Sequence, residues 1–173
     1  MIEYVVVYGH VVTPNVNKIP MILKDKPAYL KGVLNLPGGK IEEGESIVEA
    51  AVRELQEETG LDELEKYDDS CYFPSEHFGT IVCDECMVYC VRVPVVYQPL
   101  TPKATETELV EWYDFYEVLN HPKLMPNLRV IMPLIHAGHS GWTIHDKGDS
   151  WRDISHEITI QLKGMAWFNN SET

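Results

Sequence analysis

The chain has 173 residues, which is enough for one well-packed domain and short for two. Its composition is that of a globular protein, with 45% hydrophobic and 24% charged residues. The formal net charge of −13 excludes the basic surface that nucleic-acid binding needs, although bound divalent cations would still admit a small phosphorylated ligand. We therefore expect a single domain over residues 1–173 that has no nucleic-acid partner.

The first residues, MIEYVVVYGHVV, carry an acidic residue where a signal peptide carries basic ones. Their short, valine-rich apolar run favours a first β-strand. No stretch of the sequence approaches the roughly 18 apolar residues that span a bilayer. These patterns predict a cytoplasmic protein without a membrane partner.

The first part of the chain alternates short apolar runs with turn residues, which predicts strands. We expect strands at residues 2–8 and 20–24, and an extended run that ends near Asn35. The composition then changes at LPGGKIEEGES, which predicts a loop rich in glycine and acidic residues. This loop leads into SIVEAAVRELQEETGL, where apolar residues recur at helical spacing, so the segment is predicted to be an amphipathic helix packed on a core.

Both ends of that helix are marked in the sequence. Ser46, followed three residues later by Glu49, has the pattern of a capping box. Gly60 stands where a residue in the left-handed conformation commonly ends a helix. We therefore predict a helix that begins after Ser46 and ends before Gly60.

The rest of the chain reads as short strands with two further helices. SCYFP is predicted to be a short strand, and FGTIVCDECMVYCVRVPVV a pair of strands that turns near Asp84 and Glu85. LVEWYDFYEVL predicts a strand that enters a short helix, and residues 127–137 suit a helix despite Pro133. Beyond about residue 139 the pattern fits either a hairpin or an extended arm.

All four cysteines lie within one short segment, at Cys71, Cys83, Cys86 and Cys90. A disulfide framework is not expected in a chain without a secretory signal. The CxxC formed by Cys83 and Cys86 would make a zinc site only if the local hairpin brought the other two thiols to the same metal. We predict reduced, partly buried thiols, with zinc as the alternative.

Three glutamates of the predicted helix carry the strongest chemical signal. Glu54, Glu57 and Glu58 are three and four residues apart, so their carboxylates share one helix face and repel each other. A hard divalent cation with oxygen ligands would offset this repulsion, and Mg²⁺ in particular binds through a few carboxylates while it keeps waters and substrate phosphates. Gly38 and Gly39 allow a tight turn that brings backbone carbonyls close to the cation. The pattern predicts a Mg²⁺ site, in which Mn²⁺ can substitute.

Residues 39–61 resemble the signature motif of the Nudix hydrolases, here called the Nudix box, and match it at nine positions over 23 residues without a departure. The matching residues are Gly39, Glu45, Arg53, Glu54, Leu55, Glu57, Glu58, Gly60 and Leu61. The resemblance implies an α/β fold of the α+β kind, an α/β/α sandwich with a central mixed sheet and the Nudix loop-helix-loop. It also implies attack of a metal-activated water on a diphosphate linkage in a nucleotide-like substrate.

The resemblance carries roles over to individual residues. The Gly38 carbonyl, Glu57 and Glu58 are implied as metal ligands, and Glu54 as a ligand or as the catalytic base. Arg53 and Glu45 are implied as partners that hold the loop against the helix, which suits a guanidinium fork and a carboxylate.

A further acidic contribution often comes from a loop well past the box in this family. Here ATETELVEW places Glu106 and Glu108 shortly before Trp112, and either glutamate could complete the metal site. If this segment is extended, both side chains point to the same face, whereas in a turn only one of them reaches the site. Solvent-facing positions on an acidic surface are the alternative for both.

Substrate choice in the family is set outside the box. Tyr72, Phe73 and Trp112 are candidates for stacking on a base, although aromatic residues at strand positions are commonly part of a core. ADP-ribose hydrolases of the family carry a proline some fifteen residues past the box, and Pro74 lies 13 residues after Leu61, close to that position. ADP-ribose or a similar nucleoside diphosphate sugar is therefore the leading expectation for the substrate.

Three other functions remain as alternatives. The first is a pyrophosphatase of nucleoside or deoxynucleoside triphosphates, including damaged ones. The second is an inactive nucleotide-binding module, which would more often have lost a box glutamate, and the third is an isomerase of the isopentenyl diphosphate type, whose box is degenerate. The intact box favours hydrolysis, and the sequence also allows a homodimer.

Overall fold

The structure, a computed structural model, describes residues 1–64, 66–68, 71–72, 74–145 and 159–162. The strands in these residues are β1 (Ile2–Val11), β2 (Lys18–Leu23), β3 (Leu34–Asn35), β4 (Lys66–Asp68), β5 (Cys71–Tyr72), β6 (Glu76–Val82), β7 (Cys86–Val95), β8 (Leu109–Asp114), β9 (Trp142–His145) and β10 (Thr159–Leu162). The α-helices are α1 (Ile47–Thr59), α2 (Phe115–Val118) and α3 (Leu128–His136), and a single 3₁₀ turn covers Ala28–Leu30.

Five strands form a mixed sheet in the order β1-β7-β6-β9-β10. β1 runs parallel to β7 and β6 runs parallel to β9, whereas the β6–β7 and β9–β10 pairs are antiparallel. This sheet confirms the predicted α+β fold with a central mixed sheet. For the segment beyond about residue 139, the antiparallel pairing of β9 with β10 agrees with the predicted hairpin rather than with an extended arm.

A second, antiparallel sheet has the order β3-β2-β8 and was not predicted. The extended run expected to end near Asn35 is largely absent, because residues 28–30 form the 3₁₀ turn and β3 has only two residues. β2 is the central strand of this sheet and pairs with β8 along its whole length. Lys24 follows β2 directly, so the sheet fixes where this lysine lies.

Side chains of β1 alternate between two cores, as the period of a strand requires. Val5 and Val7 pack with Ala51 of α1, whereas Tyr8 packs with Ile131 of α3 in the other core. The mixed sheet therefore lies between α1 on one face and α3 on the other. This arrangement confirms the sandwich that the sequence resemblance implied.

The predicted helix limits are confirmed at both ends of α1. The Ser46 hydroxyl accepts a hydrogen bond from the Glu49 amide at 3.2 Å, and the Glu49 carboxylate accepts one from the Ser46 amide at 2.8 Å. Gly60 closes the helix in the left-handed conformation with a φ of 74°. Because both ends are capped, the three box glutamates are held in fixed positions along the helix.

Cys86 and Cys90 are free thiols on β7, and Cys90 is fully buried. The side chain of Cys71 lies outside the described residues, so the zinc alternative is not tested for all four thiols. Across the ranges that the structure describes, no helix is both long and apolar enough to cross a membrane. The extent of the domain toward residue 173 stays a prediction.

Candidate metal centre

The loop before α1 lies along the edge of β1. The amide of Val7 donates to the Pro37 carbonyl at 2.8 Å, and the amide of Val5 donates to the Gly39 carbonyl at 2.9 Å. Gly38 lies between Pro37 and Gly39, whose carbonyls are both engaged by β1. A Cβ at residue 38, where φ is 153°, would lie 2.1 Å from the Val5 carbonyl oxygen, so only glycine fits this approach.

Two glutamates of α1 meet the same loop. A Cβ at Gly39 would lie 2.4 Å from Oε1 of Glu54, so the glycine leaves the room that the Glu54 carboxylate occupies. The amide of Gly38 donates to Oε2 of Glu58 at 2.7 Å. Gly38 thus contacts Glu58, and Gly39 lies directly beside Glu54.

Arg53 joins the loop to the helix with its whole guanidinium group. Nε and one terminal nitrogen donate to the two oxygens of Glu45 at 2.7 and 3.0 Å. The same group reaches Glu54 at 2.7 Å and the Lys40 carbonyl at 3.1 Å. Hydrogen bonding from Arg53 lowers the pKa of Glu45, which keeps this carboxylate charged. The structure thus brings Arg53 and Glu45 together at the base of the loop.

Glu57 pairs with a lysine from a distant loop. Nζ of Lys103 lies 2.6 Å from Oε1 of Glu57, and the Lys103 amide donates to the Glu57 carbonyl at 2.9 Å. The hydrogen bond from Lys103 lowers the pKa of Glu57. Because the Thr101 amide also donates to the Thr59 carbonyl, this loop is attached to the C-terminal turn of α1.

Glu58 is the most buried of the box carboxylates, with a residue exposure of 7%. Burial raises the pKa of Glu58 to about 7, although Lys24 and the Gly38 amide act in the opposite direction. Nζ of Lys24 lies 3.5 Å from Glu58 and 2.6 Å from Glu108. Burial alone would lower the pKa of Lys24, but the two carboxylates raise it, so this lysine stays an ammonium.

Sequence reasoning missed Lys24 and Lys103. Neither lysine belongs to the motif, and their contacts to Glu108 and Glu57 join residues 84 and 46 positions apart. A lysine at the end of an apolar strand is a weak signal by itself. Only the pairing of β2 with β8 and the return of the loop to α1 bring these cations to the site.

The two acidic candidates past the box lie in different surroundings. The Glu106 amide donates to the Lys103 carbonyl at 2.9 Å, so this stretch turns, and β8 begins only at Leu109. The charge of Glu106 contributes to a raised pKa of Glu54, whose main cause is burial. Glu108 contacts Lys24 instead. The two side chains therefore do not share one face of an extended strand.

The aromatic candidates for substrate binding are only partly described. Trp112 lies on β8, donates from Nε1 to the Gln98 carbonyl at 2.8 Å and packs with its ring 5.0 Å from that of Tyr97. Tyr72 belongs to β5 but its side chain is outside the described residues, as is the whole of Phe73. Their roles in substrate binding stay predictions.

The donor set fits a hard divalent cation. Carboxylates on one helix face adjoin a glycine loop into which any Cβ would intrude, and Mg²⁺ prefers oxygen ligands of this type. Among the described residues, no three His, Cys, Asp or Glu side chains are already grouped as a metal site. Instead, the box carboxylates pair with Arg53, Lys103 and Lys24. Metal binding would therefore require these glutamates to exchange contacts with the cationic side chains for contacts with the metal.

Comparison with known proteins agrees with this fold. The family model described as the NUDIX domain matches residues 4–135. The chain belongs to the NUDIX family.

Two curated relatives show how far the similarity extends. Nudix hydrolase 2 of Arabidopsis thaliana is 27% identical over 110 residues, which cover 62% of this chain and 38% of that protein. The ADP-ribose pyrophosphatase of Methanocaldococcus jannaschii is 53% identical over 45 residues, 26% of each chain. The matched segments thus span less than two fifths of these relatives.

Solved structures share the fold at low sequence identity. A MutT protein from Bacillus halodurans superposes with a TM-score of 0.64 at 20% identity, covering 96% of this chain and all of that one. The NUDIX domain of Shewanella oneidensis NrtR, solved in complex with ADP ribose, superposes with a TM-score of 0.63 at 18% identity, covering 79% and 88% of the two chains. These likenesses establish the fold.

Proposed function

We propose that this protein is a divalent-metal-dependent hydrolase of a diphosphate linkage in a nucleoside diphosphate derivative. The observation that carries the proposal is the contact of the Gly38 and Gly39 loop with Glu54 and Glu58 on α1. A bound Mg²⁺ or Mn²⁺ would lower the pKa of the attacking water and neutralise charge on the leaving phosphate.

Metal binding and proton transfer are assigned to individual residues as follows. The Gly38 carbonyl, Glu57 and Glu58 would hold the metal, and Glu106 would add a fourth acidic side chain to Glu54, Glu57 and Glu58. Glu54 is a ligand or the base that accepts the proton of the water, and its raised pKa, caused mainly by burial, suits a proton acceptor.

Arg53 and Glu45 keep the loop against α1 through their two-pronged ion pair. Such a pair fixes orientation as well as distance, because both guanidinium nitrogens lie in one plane with the carboxylate. The proposed ligands, the Gly38 carbonyl on the loop and Glu57 and Glu58 on α1, therefore keep a fixed position relative to each other.

ADP-ribose, or a similar nucleoside diphosphate sugar, is the proposed substrate. Support comes from the relative named ADP-ribose pyrophosphatase and from the NrtR domain solved with ADP ribose. The partner of the protein is then this small substrate, and we propose the cytoplasm as its location. A homodimer stays a prediction, which light scattering of the purified protein would check.

Hydrolysis of a substrate panel with product identification tests the proposal. ADP-ribose, dinucleoside polyphosphates, NADH and the nucleoside triphosphates are incubated with Mg²⁺, with Mn²⁺ and with excess chelator. We expect AMP and ribose 5-phosphate from ADP-ribose, only when metal is present. If the protein releases pyrophosphate from triphosphates and hydrolyses no other compound of the panel, triphosphates replace ADP-ribose as its substrate. Turnover in excess chelator would overturn the metal-dependent mechanism.

A further inference from the structure

Lys24 lies between two carboxylates and is bound unequally by them. Its Nζ is 2.6 Å from Oε2 of Glu108, a hydrogen-bond distance, but 3.5 Å from Oε1 of Glu58. The three side chains are only 8–13% exposed, so solvent screens their charges weakly. The ammonium is thus held by Glu108 and kept just beyond good hydrogen-bond distance of Glu58.

Glu108 is itself fixed by its other oxygen. Oε1 accepts hydrogen bonds from the backbone amides of Asp25 at 2.7 Å and Lys26 at 3.1 Å. Both oxygens of Glu108 are therefore engaged with the turn after β2. A role as direct metal ligand would require it to break these contacts.

We infer that Glu108 is a positioning residue that acts on the metal centre through Lys24, by holding the Lys24 ammonium away from Glu58. With Glu108 in place, Oε1 of Glu58 remains accessible to a divalent cation, while the nearby ammonium still moderates the buried negative charge. Without Glu108, the ammonium would turn fully to Glu58 and compete with the metal for the same oxygen. Because it rests on the metal site of the proposed function, this role is tested by metal binding rather than by turnover.

A double-mutant cycle on Mn²⁺ affinity separates this role from direct ligation. Mn²⁺ binding is measured by electron paramagnetic resonance, without substrate, for the wild type, Glu108→Gln, Lys24→Met and the double variant. We expect Glu108→Gln to raise the Kd for Mn²⁺ about tenfold when Lys24 is present, and less than about threefold in the Lys24→Met background. The strong effect should thus depend on the lysine.

An equal factor in both backgrounds would overturn the inference, because a ligand or a simple charge acts whether or not Lys24 is there. Failure of the wild type to bind Mn²⁺ would instead contradict the proposed function at its metal site. The two failures are therefore distinguishable.

Lys31→Met is the matched control, because Lys31 pairs with Asp25 in the same turn at 3.1 Å but is 71% exposed. It should leave the Kd for Mn²⁺ unchanged. Thermal unfolding in chelator shows whether each variant folds. If Lys24→Met does not fold, Lys24→Gln replaces it in the cycle, with the same expected dependence.

Discussion

Two regions build the candidate metal centre in different ways. In the box, contacts are local: Arg53 reaches Glu45 eight residues away, and Glu58 reaches Gly38 twenty residues away. Around the box, Lys103 and Lys24 come from segments that are distant in sequence. The difference shows that the box provides the carboxylates and one of the cations that pair with them, Arg53, whereas the tertiary fold adds Lys103 and Lys24.

The largest effect is expected inside the box. Glu58→Gln should reduce kcat at least about 100-fold, because it removes a buried carboxylate oxygen of the proposed metal site. Circular dichroism should show an intact fold, since the amide can still accept from the Gly38 backbone. Steady-state hydrolysis of the best panel substrate measures the effect.

Glu43→Gln is the matched control for that variant, because Glu43 is an exposed carboxylate of the same loop. It should retain wild-type turnover. A folded Glu58→Gln protein with near wild-type kcat would show that the box glutamates do not carry the reaction.

Arg53→Lys should have the next largest effect. A lysine places a single point charge where the Arg53 guanidinium makes five hydrogen bonds, so it cannot hold Glu45 with two parallel hydrogen bonds. We expect kcat/KM to fall about tenfold and the midpoint of thermal unfolding to fall by several degrees. Arg92→Lys, which changes an ion pair with Glu76 and the contact of the guanidinium with the Phe78 ring, should leave kcat/KM unchanged. Equal results for the two variants would contradict a specific role of Arg53.

Much of the fold followed from local pattern. The capping box at Ser46, the hairpin near Asp84 and the α3 helix rest on residues a few positions apart, and the structure confirms them. The second sheet could not be foreseen, because β2 and β8 are paired across about ninety residues. Nothing in either strand specifies its partner.

The same limit applies to the site. Spacing alone placed the box glutamates on one face of α1, but it left Glu106 and Glu108 equivalent. The distinction depends on the turn at Lys103 and on the fixed position of Lys24, both of which are tertiary features. Sequence reasoning could name the candidates and not their surroundings.

A third variant sharpens the comparison outside the box. Glu106 lies close enough to influence Glu54, so Glu106→Gln should raise the Mg²⁺ concentration for half-maximal activity about threefold to tenfold. Glu111→Gln, an exposed change on β8, is the control and should leave this concentration unchanged. An unchanged Mg²⁺ requirement in both variants would place Glu106 on the acidic surface, outside the metal site.

The smallest expected effect is on stability without metal, where Glu58 and Glu57 should differ in how their contributions depend on pH. Burial raises the pKa of Glu58 from 4.5 to about 7, so the folded state binds this proton more tightly than the unfolded state. Its contribution to the free energy of unfolding is therefore fully present below pH 4.5 and is lost as the pH rises through 7. The hydrogen bond from Lys103 lowers the pKa of Glu57. The contribution of Glu57 to the free energy of unfolding is therefore present at higher pH and is lost as the pH falls.

Thermal unfolding in chelator at pH 5 and pH 8 measures this difference. Because glutamine carries no charge to desolvate, Glu58→Gln should gain stability relative to the wild type as the pH rises, by a few degrees at pH 8. Glu57→Gln should be slightly less stable than the wild type at pH 8, since it loses a partly exposed ion pair that contributes about 0–1 kcal/mol. The same pH trend in both variants would show that the burial of Glu58 against the loop does not set its charge.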